Sequence, residues 1–100
     1  MRSTHNSEDR HAAYYKRIAR QCEDAQRQVE RQTISIEVAG EITHLARLLL
    51  RSVDLHCQRE LGRSRKASRA IDQRTGAQNA LRRLSHAIRK SSESTASHDR

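Results

Sequence analysis

Between Ser35 and Leu61 the chain reads SIEVAGEITHLARLLLRSVDLHCQREL, and this stretch limits the fold more than any other. Val38, Ile42, Leu45, Leu49, Val53, Cys57 and Leu61 recur in steps of three and four, the spacing of one α-helical face. Leu48, Leu50 and Leu55 widen the stripe until the middle of the helix is apolar on more than one side. Such a helix has to be covered by something else. Ser35 is placed to cap its start, with Glu37 and Glu41 near the positive helix end. Gly62 suits a left-handed stop. With a rise of about 1.5 Å per residue, the segment makes a rod of roughly 39 Å, well beyond the mean globular helix of about 11–12 residues.

Composition decides how that helix is covered. One hundred residues allow one small domain, and only 34% are hydrophobic, with no Phe or Trp. A core of that size is modest, so a partner chain is the natural remedy. The net charge of +8 is carried mostly by Arg, with Lys only at positions 16, 66 and 90. Arg holds phosphates bidentately and stays charged, so the balance points to nucleic acid, with an acidic protein surface as the rival. Cys22 and Cys57 fall on apolar helix faces and read as small buried hydrophobes, because no Cys/His ligand spacing accompanies them. The six His residues make no metal pattern, and no cofactor is expected. There is no Ser-His-Asp order, no Gly-rich phosphate cradle and no carboxylate pair, so neither an enzyme nor a small-molecule substrate is expected. No run of 18 apolar residues or signal peptide appears, and the expectation is a soluble, intracellular chain without a membrane partner.

Taken in order, residues 1–10 read as a flexible polar tail. Residues 11–30 read as a first helix whose apolar face is Tyr14, Ile18, Cys22, Ala25 and Val29, broadened by Tyr15, with Arg17 and Arg20 on the other side. The joint at residues 30–34 has neither Pro nor Gly, so one continuous helix over residues 11–61 competes with a break capped by Thr33 or Ser35. Residues 62–70, GRSRKASRA, read as a basic loop. Ile71 precedes a third helix in residues 71–90, with Asp72 as its cap and Ala77, Ala80, Leu81, Leu84 and Ile88 at helical spacing. Arg82, Arg83, Arg89 and Lys90 suit the negative end of that helix. Residues 91–100 read as a disordered tail, leaving one helical domain at 11–90.

Over residues 12–90 this layout resembles the histone fold. QTISIEVAGEITHLARLLLRSVDLHCQREL is similar to a histone second helix entered through a short first loop. SRKASRAIDQRTGAQNALRRL is similar to a second loop and third helix, with Arg69, Ala70 and Ile71 at the basic, small and Ile positions. Ala70 stands where histones carry Thr, Thr75 stands near the place of an early helix acid with Asp72 too early, and the second loop is longer. The resemblance is therefore to a divergent member: a centromere- or kinetochore-type or DNA-repair histone-fold subunit, or a viral histone-like chain.

That resemblance implies an all-α fold of short, long and short helices with polar tails. It implies a handshake dimer in which Val38, Ile42, Leu45, Leu48, Leu49, Val53, Leu81 and Leu84 meet a second, different histone-fold chain. It further implies double-stranded DNA as ligand, in a nuclear, chromosomal setting such as the nucleosome or centromere. The first loop, with Arg31, Gln32 and Thr33, would grip the phosphate backbone beside the partner's second loop, with Arg63, Arg65, Lys66 and Arg69. Arg17 and Arg20 would add contacts from the first helix. The rival expectations are a structural helical component of a larger assembly, viral ones included, or an Arg-rich RNA-binding helical protein.

Overall fold

Heptad spacing organises the packing of all three helices. The computed structural model describes the backbone of residues 2–61 and 68–98 and the side chains of residues 10–60 and 69–93. The helices are α1 (Arg2–Glu30), α2 (Ile36–Leu61) and α3 (Ser68–His98). On α1 the buried positions are His11, Tyr15, Ile18, Cys22, Ala25 and Val29. On α2, Ala39, Thr43, Ala46 and Leu50 are buried, and Val53 and Cys57 complete the row half-buried. On α3, Ala70, Ala77, Ala80, Leu84 and Ala87 face inward. Steps alternating between three and four keep a narrow seam pointed at the neighbours over many turns, as in coiled-coil bundles.

Polar contacts fix the directions. Asp54 of α2 meets both Tyr15 of α1 and Arg74 of α3, while Arg47 of α2 reaches Ser85 of α3 within 3.5 Å. Low numbers on α2 thus face high numbers on α3, so these two run antiparallel. The short turn makes α1 antiparallel to α2 as well, leaving α1 and α3 parallel. The result is an up-down-up bundle 62 × 18 × 18 Å in extent. The most extensive interface is α1 against α3. Ala12, Ala19 and Ala25 on one side and Ala70, Ala77, Ala80 and Ala87 on the other let these backbones come close.

The break between α1 and α2 is built from hydrogen bonds rather than from Pro or Gly. Gln32 takes φ 58°, the left-handed region. Its N–H donates to the Val29 carbonyl at 3.1 Å, and the Thr33 N–H donates to the Gln28 carbonyl at 2.9 Å. These two bonds define a Schellman stop with Gln32 in the place usually held by Gly. The Thr33 hydroxyl also donates to the Gln28 carbonyl, at 3.1 Å. Ser35 caps α2, its Oγ accepting the Val38 N–H at 3.1 Å.

Several expectations change. The helix lengths are 29, 26 and 31 residues rather than short, long and short. Helix α1 begins at Arg2 and α3 reaches His98, so helical backbone enters both segments read as tails. Helix α3 starts at Ser68, which places Arg69, Ile71 and Asp72 inside it. Ala70, fully buried, anchors this first turn. On α1, Tyr15 is the buried tyrosine and Tyr14 is exposed. Among the described residues, no helix is long and apolar enough to cross a membrane.

Candidate functional site

Two surfaces stand out once the core is accounted for: an uncovered apolar stripe on α2, and arginine-rich outer faces on α1 and α3.

The α2 stripe comprises Val38, Leu45, Leu48, Leu49 and Leu55, each between 45% and 58% exposed. It lies on the side of α2 turned away from the core row Ala39–Thr43–Ala46–Leu50. The continuous stripe expected from the sequence is therefore divided. Ile42 and Val53 pack against the chain's own core, while Val38, Leu45, Leu48 and Leu49 face solvent. Leu81 and Leu84, expected at a dimer surface, are buried against α1 and α2 and have no free face to offer a partner. An exposed apolar row of this kind is a candidate interaction surface.

The basic residues divide in the same way. Arg17, Arg20 and Arg31 are exposed, and so is Thr33. Arg27 lies on the same outer face of α1 and is paired with Asp24. On α3, Arg82, Arg83, His86, Arg89 and Lys90 are all exposed, beside and beyond the buried row of Ala80, Leu84 and Ala87. Between the end of α1 and this part of α3 lies an open groove of about 740 Å³. Val29 and Ala87 line it, with Arg82, Arg83, Lys90 and Glu30 as its charged residues. The first-turn residues Arg31 and Thr33 thus stand at the same end of the bundle as the α3 cations. Arg69 is exposed at the other end. Measured from the level of Tyr15 and Arg74, it lies roughly 32 Å along the axis from Arg31. One chain therefore does not bring these two half-sites together. Arg63, Arg65 and Lys66 lie outside the described residues.

The α3 cations do not stand at the helix end where the sequence reading put them. A helix dipole acts within its last turn, and α3 continues to His98, so Arg89 and Lys90 sit more than two turns inside it. The available signal was the lack of any acid between Asp72 and Glu93.

At the bundle's middle, the Tyr15 hydroxyl donates to Asp54 Oδ1 at 2.5 Å. Arg74 Nε approaches the same oxygen at 3.0 Å, an ion pair whose N–H is not aligned for a hydrogen bond. Burial, reinforced by Asp54, holds the Tyr15 hydroxyl protonated well above the ordinary tyrosine range. The folded chain thus keeps a proton that the unfolded chain releases near pH 10. This contribution to stability is whole below about pH 10 and is lost as pH rises beyond it. Tyr15→Phe is expected to cost about 1–2 kcal/mol at neutral pH and to lessen the alkaline loss. Urea unfolding of both proteins at about pH 7 and about pH 10.5 measures both effects. Burial also pushes up the Cys22 and Cys57 thiols, so neither is an activated nucleophile. Among the described residues, no group of His, Cys, Asp and Glu could hold a metal ion.

Compared with protein-family models, curated proteins and solved structures, the chain finds no match.

Proposed function

We propose that this chain is a nonenzymatic DNA-binding subunit that pairs with a second helical chain through α2 and holds the phosphate backbone through its exposed arginines. The observation that carries this reading is the cation-rich outer surface of the bundle. Arg17, Arg20 and Arg31 on the α1 side and Arg82, Arg83, Arg89 and Lys90 on α3 all face solvent. Phosphate contacts of this kind position a duplex without reading its bases. Lack of exposed aromatic side chains other than Tyr14 argues against stacking on single strands.

The uncovered stripe of α2 supports the pairing. The histone-fold resemblance supplies the finer form of the proposal, a dimer built on α2 in a chromosomal, centromere-type complex. Within one chain the close packing of α1 on α3 is the feature that departs from that form. The stripe also favours a second reading, a structural helical component whose α2 docks into a larger assembly and whose charge meets acidic proteins.

Titration of a fluorescent 20-base-pair duplex of arbitrary sequence at several salt concentrations separates the two. Each neutralised phosphate contributes about −0.9 to the slope of log K against log salt. The expected slope is about −4 or steeper, with little preference between sequences. No binding at low salt, with retention of acidic polypeptide instead, would overturn the DNA reading in favour of the second.

A further inference from the structure

The exposed face of α2 carries its own heptad: Val38, Glu41, Leu45, Leu48, Ser52, Leu55 and Arg59, in alternating steps of three and four. All seven are exposed. This row is separate from the core row, and it is polar at its two ends with opposite signs. Neither Glu41 nor Arg59 is in an ion pair with another described residue.

The geometry points to a second copy of this chain as the occupant of that face, packed antiparallel so that Glu41 of each copy meets Arg59 of the other. This rests on the pairing in the proposed function and replaces an unspecified second chain with a copy. In an antiparallel pair of helices, facing residues have numbers that sum to a constant. A sum of 100 sets Glu41 against Arg59, Leu45 against Leu55 and Leu48 against the small Ser52, each twice by two-fold symmetry. Every apolar member except the terminal Val38 then faces an apolar or small residue, and both charges are satisfied. A register one heptad away sets Glu41 against Ser52 and leaves Arg59 beyond the start of the partner's helix. That arrangement leaves a carboxylate without a partner in the interface, which is costly. A parallel pair would set Glu41 against Glu41 and Arg59 against Arg59. Charge complementarity therefore selects both the partner and the direction.

The same arrangement has a consequence for the basic surface. It carries the α1–α2 turn of one copy toward the end where the partner's α3 begins. Arg31 of one chain and Arg69 of the other then stand at the same level along the axis, although the two are roughly 32 Å apart along it within a chain.

Sedimentation equilibrium of the full chain at 0.15 M salt tests the proposal. Two like-charged chains repel, and this ionic strength shortens the range of that repulsion to about 8 Å. The wild type is expected to form a dimer. Glu41→Arg and Arg59→Glu should each raise the dissociation constant roughly tenfold, because each removes two pairs and creates two repulsions. The double variant E41R/R59E should return to within roughly threefold of wild type. All these positions are exposed, so circular dichroism should show unchanged helix content. A monomeric wild type overturns the proposal, as does a double variant no tighter than the single ones. Duplex titration of the same samples distinguishes the readings. A monomer that still binds DNA overturns the self-pairing alone, whereas a dimer indifferent to DNA overturns the proposed ligand and leaves the pairing standing.

Discussion

Leu84→Ala should cost about 3–5 kcal/mol, the upper part of the range for a buried leucine. Leu84 is fully buried at the middle of α3 and is, with Tyr15, among the few large side chains wholly enclosed. The core it belongs to is rich in alanine: Ala39, Ala46, Ala77, Ala80 and Ala87 are all buried in it. Alanine has no rotamers with which to fill a hole, so the cavity would stay open. A domain of this size has about 5–15 kcal/mol of stability in all. The variant is therefore expected to be marginal at 25 °C, with a thermal midpoint lowered by roughly 12 °C or more. Urea unfolding followed by circular dichroism measures it. Leu48→Ala, on the exposed face, is the control: at concentrations below dimerisation it should stay within about 0.5 kcal/mol of wild type. Equal losses at the two positions would mean that α2 and α3 are not packed as described.

That contrast explains what periodicity alone conveys about α2. Helical spacing places apolar residues on a face, but α2 has two such faces, and hydrophobicity ranks the wrong one as the inner. The leucines Leu45, Leu48, Leu49 and Leu55 outrank Ala39 and Ala46, yet it is the alanines that are buried. The reason is the closeness of the helices: small residues at heptad positions allow backbones to approach, and the larger ones are left for another surface. On α3 the helical spacing of Ala77, Ala80, Leu81 and Leu84 was legible as an apolar face, but that face is the chain's own core rather than the dimer surface expected of Leu81 and Leu84. The Ser35 cap was legible too, because a side-chain oxygen three residues before a free N–H is a local device. The stop at Gln32 was not. A left-handed residue other than Gly is unusual, and what holds Gln32 there is a pair of backbone hydrogen bonds that leave no mark in composition. The helix ends were misplaced for a related reason: Ala70 fixes the start of α3 by packing, and packing partners distant in sequence are invisible to a local pattern.

Replacing Arg82, Arg83, Arg89 and Lys90 together by Gln should weaken duplex binding by roughly 10³-fold at 0.15 M salt. On the proposed reading each of these cations neutralises one phosphate, and four of them contribute about −3.6 to the log–log salt slope. Removing the contacts should reduce the slope by the same amount, so affinity and slope must change together. All four are exposed and outside the buried core, so replacing them should leave the fold intact. Gln keeps a long, helix-compatible side chain, and any loss of affinity then reports charge. An equivalent set at Arg63, Arg65, Lys66 and Arg69 gives the comparison that locates the interface. The α3 set stands on a rigid helix beside the Schellman turn, where Arg31 is already exposed, so its contacts require little ordering on binding. The loss expected of the α3 variant stays at roughly 10³-fold. Full affinity in the α3 variant, with loss confined to the other set, would move the interface to the connection between α2 and α3. Affinity lost without a change in slope would mean that the four residues act on something other than phosphate.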